Sequence, residues 1–67
     1  MTNQKEVLVK AVAYAKELKN KGIDWTADGA GEHSGFSIGA HRFELYKHSS
    51  KGILLQEVGN TEWHEFI

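Results

Sequence analysis

Residues 3–22, NQKEVLVKAVAYAKELKNKG, decide the fold. Asn3 followed three residues later by Glu6 is a capping-box pattern, in which each side chain satisfies an orphan backbone N–H of the first turn. Gly22 suits the left-handed position just past a helix end, and Ile23 stands where a C-terminal motif places an apolar contact back to Leu18. Glu6 with Lys10 and Glu17 with Lys21 add i,i+4 ion pairs in the better orientation. At 100° per residue, Val7, Leu8, Ala11, Val12, Tyr14, Ala15 and Leu18 fall on one broad face, with Ala11 and Ala15 near its centre. Small residues there allow a close approach to whatever the helix covers. Val9 and Ala13 fall on the opposite, lysine-flanked side, either as scattered surface residues or as a helix-borne contact.

Beyond the helix the pattern is short and turn-punctuated. Ile23 to Ala27 alternates apolar and polar and reads as a strand. Asp28 to Gly35, with three glycines, reads as a flexible loop. Phe36-Ser37-Ile38 and Phe43-Glu44-Leu45 alternate in opposite phase. A two-residue loop at Gly39-Ala40 reconciles them, setting Phe36 opposite Phe43 and Ile38 opposite His41. Ser49 to Gly52 is the next turn, Ile53 to Val58 the next strand, and Gly59-Asn60 a hairpin signal before Glu62 to Ile67. The expected architecture is therefore α+β: one N-terminal helix on a four- to five-stranded antiparallel meander, as a single small domain spanning residues 1–67.

At 67 residues such a domain buries only about 60% of the surface its unfolded chain exposes. Folds this small often lean on disulfides, metals or partners. The chain has no cysteine, which removes disulfides and thiolate zinc sites. A homodimer or a complex with another protein is then the expected supplement, and the strand from Glu62 to Ile67 offers an edge that could pair with its twin. No stretch approaches the ~20 apolar residues of a membrane span, and no secretory hydrophobic region opens the chain, so a cytoplasmic location and no membrane partner are expected.

The net charge of −1 conceals an asymmetry. Residues 1–21 carry five lysines against two glutamates (+3), and the remainder three basic residues against seven acids (−4). A nucleic-acid surface needs clustered positive charge, which only the helix could supply, through Lys10, Lys16, Lys19 and Lys21.

No motif for catalysis stands out. Gly29-Ala30-Gly31 lacks the third glycine and the following helix of a dinucleotide loop, and no Gly-Lys-Ser/Thr occurs. His33, His41, His48 and His64 are not at the i,i+4 spacing of a helical metal pair, so no metal or other cofactor is expected. His33-Ser34 beside Glu32 has the residue types of a nucleophilic triad, but adjacency in a strand or loop is not geometry. The order helix, strand, glycine loop with His33, then further strands resembles the small toxin nucleases with a double-stranded-RNA-binding-like fold. That resemblance implies a hydrolase centred on His33, although the closing helix of that fold has no counterpart here.

Trp63 and Phe66 stand among Glu62, His64 and Glu65. Acidic neighbours repel phosphate and suit a basic protein surface, such as that of a nucleic-acid-binding protein, and tryptophan is a common interface anchor. The leading expectation is a non-enzymatic protein-binding module, acting as an inhibitor, adaptor or regulator. Compact, motif-free chains of this kind are frequent in phages and other mobile elements. Its partner surface is expected on Trp63, Glu62, Glu65 and Phe66, with Trp25, Glu32 and His33 as a second epitope. The alternatives are a nucleic-acid-binding regulator using the helix lysines and the hydrolase centred on His33.

Overall fold

The computed structural model describes residues 4–29 and 31–67. Helix α1 runs Gln4–Lys21 and is followed by β1 (Thr26–Asp28), β2 (Gly31–Ile38), β3 (His41–His48), β4 (Gly52–Glu57) and β5 (Asn60–Phe66). The five strands form one antiparallel sheet in sequence order. The fold is α+β, one helix packed on one face of a meander. Among the described residues no helix is long and apolar enough to cross a membrane.

The helix ends as its sequence demands. Gly22 takes φ 103° and its N–H donates to the Leu18 carbonyl at 2.8 Å, closing the last turn with a single left-handed cap. The expected N-cap, Asn3, lies outside the described residues. Val7, Ala11 and Ala15 are fully buried against Phe36, Phe43, Leu45 and Leu55. Leu8, Val12 and Leu18 pack around this core. Because two of the three central residues are alanines, the helix backbone lies close to the sheet, nearest β2 and β3. Tyr14, at the margin of the apolar face, is 43% exposed and sets its ring edge-on to Phe36, centroids 4.9 Å apart.

The β2–β3 hairpin has the expected register, Phe36 opposite Phe43 and Ile38 opposite His41. Within the turn Gly39 has positive φ (58°) and Ala40 does not, the pattern of a II′ turn. Two segments differ from the sequence expectation. Residues 23–25 are not a strand, and pairing begins only at Thr26, which faces His33. Ile23 and Trp25 still reach the core, so their apolar phase reflects packing without a ladder. Most of the expected 28–35 loop is strand, because the eight-residue β3 provides backbone partners as far out as Tyr46, opposite His33. Gly35 is accommodated because Arg42 lies across it: a Cβ there would stand 2.5 Å from Arg42 Nη2.

Beyond Phe43 the register runs Leu45 to Leu55, then Leu55 to Glu65, with Gln56 opposite His64. It then shifts between Gln56 and Glu57, and Glu57 pairs with Asn60. The extra residues 61–63 of β5 make a bulge, which bends the strand and re-aims the side chains next to it.

Candidate protein-binding surface

β5 is an edge strand, and the helix leans away from it toward β2 and β3. An open groove of ≈ 310 Å³ remains between α1 and β5, lined by Lys5, Leu8, Val9, Val12, Trp63 and Glu65. Its floor is apolar. Trp63 is half-buried, packs on the core and meets Phe43 edge-on at 6.3 Å between centroids. That contact holds the indole in place while part of it faces the groove. Val9, 62% exposed, forms the outer helical wall. Lys5 and Glu65 bring opposite charges to the lining. The Val9 side of the helix thus turns out to border the sheet's uncovered margin.

The residues expected to form one surface on β5 are divided by the pleat. Trp63 and Glu65 line the helix-side groove. Phe66 lies on the open face of the sheet, where His48 and His64 approach it edge-on at 5.7 and 6.1 Å and Lys51 Nζ stands 5.5 Å from its ring centre. Glu62 is exposed within the bulged stretch. His48 also closes the β3–β4 turn, where its Nδ1 accepts the N–H groups of Ser50 (3.2 Å) and Lys51 (3.1 Å). Nδ1 is therefore unprotonated there, and the ring proton sits on Nε2.

The second expected epitope is also dispersed. Trp25 packs against the core. Glu32 pairs with Lys47 at 3.3 Å. His33 bonds Asp28 at 2.9 Å on the strand beside it. Adjacent strand residues point to opposite faces, which separates Glu32 from His33. Lys10, Lys16, Lys19 and Lys21 are exposed along α1.

Sequence reasoning missed a polar cluster centred on Glu57, which is nine-tenths buried on the helix side of the sheet. Its carboxylate accepts Gln4 Nε2 at 2.6 Å and Asn60 Nδ2 at 3.3 Å on one oxygen, and lies 2.7 Å from His41 Nδ1 on the other. The His41 hydrogen bond holds the carboxyl below its ordinary pKa, against the opposing effect of burial and with added help from Asn60 and Gln4. An ionised carboxylate can only accept, so His41 Nδ1 carries a proton. The cluster ties the helix start to β3, β4 and β5. It also orients His41 at the side of a ≈ 400 Å³ cleft lined by Val7, Lys10, Ile38, Gly39, Ala40 and His41. A carboxylate–imidazole pair of this kind is one part of an acid–base machine; no nucleophile adjoins it among the described contacts. The signal in the sequence was phase: His41 and Glu57 sit at apolar-face positions beside Phe43 and Leu55, where an unpaired charge is rare.

On the open face the Tyr46 hydroxyl donates to Glu44, which raises the phenol pKa above its ordinary value. No group of three His, Asp or Glu side chains able to hold a metal occurs among the described residues. No protein-family model matches the chain, and no curated protein or solved structure matches it.

Proposed function

We propose that this chain is a non-enzymatic protein-binding module whose working surface is β5 together with the groove between β5 and α1. The observation that carries this reading is the half-buried Trp63, set in an apolar groove directly beside a strand edge that β4 leaves open. Strand addition to such an edge obtains affinity from backbone hydrogen bonds and specificity from a neighbouring side-chain pocket. The partner would lay an extended segment along β5 and place an apolar side chain against Leu8, Val12 and Trp63. Glu65 at the groove, with Glu62 outside it, favours a basic segment, consistent with a nucleic-acid-binding protein as the target. An inhibitor, adaptor or regulator would work in this way without chemistry of its own.

The test is affinity capture with the wild-type chain, with Trp63→Ala plus Glu65→Lys, and with Lys19→Glu as a distant surface control. Expected is a nuclease-resistant protein retained by wild type and Lys19→Glu and lost from the Trp63 double variant, with all three chains folded by circular dichroism. Retention by the double variant, or loss with Lys19→Glu alone, would move the function away from this surface.

A further inference from the structure

The cleft beside His41 shares no lining residue with the β5 groove. Its ≈ 400 Å³ are bounded by α1, through Val7 and Lys10, and by the β2–β3 turn, through Ile38, Gly39, Ala40 and His41. That is the size of an ordinary small-ligand site. It brings together two polar side chains. Lys10 is exposed and makes no ion pair among the described residues, and Glu6, one turn earlier on α1, does not line the cleft. His41 is one-third exposed and gives its Nδ1–H to Glu57 at 2.7 Å. Glu57 does not line the cleft, so the edge of the ring turned toward the opening is Nε2.

We propose that this cleft binds a phosphate group that retains a proton, as inorganic hydrogen phosphate or as the head of a small phosphate monoester. With the Nδ1 proton committed to Glu57, a neutral ring holds its lone pair at Nε2 and only accepts there. An oxyanion without a proton meets that lone pair with lone pairs of its own. A hydrogen phosphate instead donates its O–H to Nε2 and turns its other oxygens to the Lys10 ammonium, which binds phosphate as a point charge. One proton is shared between ligand and ring, and none is taken from solvent. The second ionisation of a phosphate monoester, at about 6, and that of an ordinary imidazole, at about 6.5, lie close together, so the proton rests on either side at little cost.

Glu57 is what makes the arrangement selective. Its carboxylate is engaged by Gln4, Asn60 and His41, so its charge is held within the cluster, and from there it fixes the tautomer and the orientation of the ring. The same carboxylate stabilises the ring when the shared proton moves onto Nε2. The remaining side chains of the lining, Val7, Ile38 and Ala40, are apolar and suit the carbon body of an ester.

Imidazole nitrogen NMR at about pH 8, above the ordinary imidazole range, reads the site directly, with inorganic phosphate and sulfate titrated at matched ionic strength. Both are dianions of one shape there, and only phosphate carries a proton. Phosphate should shift the His41 Nε2 resonance saturably, and sulfate should not. Lys10→Gln, at an exposed position, should weaken phosphate by about tenfold, the value of one charge-assisted hydrogen bond, and Lys19→Gln should leave it unchanged. Phenyl phosphate compared with inorganic phosphate at about pH 6, where the ester also holds a proton, separates the two sources. Tighter binding of the ester assigns the apolar lining to its carbon body, and weaker binding assigns the cleft to free phosphate. No saturable shift at His41, an equal response to sulfate, or phosphate binding indifferent to Lys10→Gln would overturn the proposal. None of these outcomes bears on the β5 surface, which the capture experiment tests by itself.

Discussion

Glu57 shows how much one buried carboxylate can organise in a small domain. Three side chains from three places in the chain, Gln4, His41 and Asn60, converge on it. Removing one partner of such a cluster leaves desolvated polar atoms without compensation, which costs more than the bond contributed. Its folded-state pKa lies below the ordinary 4.5, so the ionised form adds stability above that value. That stability is lost as pH falls from about 4.5 through the lower folded-state value. Glu57→Gln should therefore melt below wild type at pH 7, and the gap between the two melting temperatures should narrow steadily as pH is lowered toward 3. Parallel thermal melts across that range check it; a gap that is constant or widens in acid would show that the carboxylate's charge is not what holds the cluster. The cluster was legible only in part. His41 opposite Ile38 followed from the hairpin, but Glu57's partner depended on a register that β3 and β4 set through Leu45 and Leu55, and no local signal announces that.

At the scale of elements, the helix and the β2–β3 hairpin were readable because each carries its own punctuation. Gly22 ends the helix, and the phase flip between Ile38 and Phe43 requires a two-residue turn. Thr26 and Ala27 of β1 fell within the expected strand, but the first half of β2 was not readable, because three glycines argue locally for a loop while β1 and β3 provide the partners that make it a strand. The candidate surface was half visible for the same reason. Trp63, Glu65 and Phe66 are close in sequence, but the pleat sends Trp63 and Glu65 to the groove and Phe66 to the open face. The helix face offers a sharper test. Ala11 has no exposed surface and belongs to the buried core with Phe36, Phe43, Leu45 and Leu55. Ala11→Leu should push α1 off the sheet and destabilise by about 1–3 kcal/mol, whereas Ala13→Leu, on the exposed side, should change stability by no more than about 0.5 kcal/mol. For a chain of this length, total stability is of the order of 3–10 kcal/mol, so the first change is a large share of the whole. Denaturant titration of both variants reads the difference; equal midpoints would mean that the helix does not pack through its alanines.

The whole molecule is flat, 36 × 24 × 19 Å, because one helix covers one face of a five-stranded sheet. The consequence is a margin. α1 is wide enough to bury Phe36, Phe43, Leu45 and Leu55 but not to close over β5, and Trp63 is left at the border between core and solvent. An edge strand and an adjoining apolar groove invite another chain unless they are blunted. β5 has a bulge at its start, yet His64 to Phe66 stays regular and open. On the proposed reading, the binding surface is the groove at Trp63 and the outer edge of β5.

The most direct measurement is residue-resolved amide hydrogen exchange of the wild-type chain, free and bound to the protein it captures. In the free chain the N–H groups of His64 and Phe66 should exchange quickly, and that of Glu65, paired with Leu55 of β4, slowly. In the complex the His64 and Phe66 amides should become protected while Glu65 hardly changes, the pattern of a strand added to the outer edge. Fast exchange at His64 and Phe66 in the complex would contradict strand addition to this edge. Protection of both already in the free chain would contradict the open edge itself.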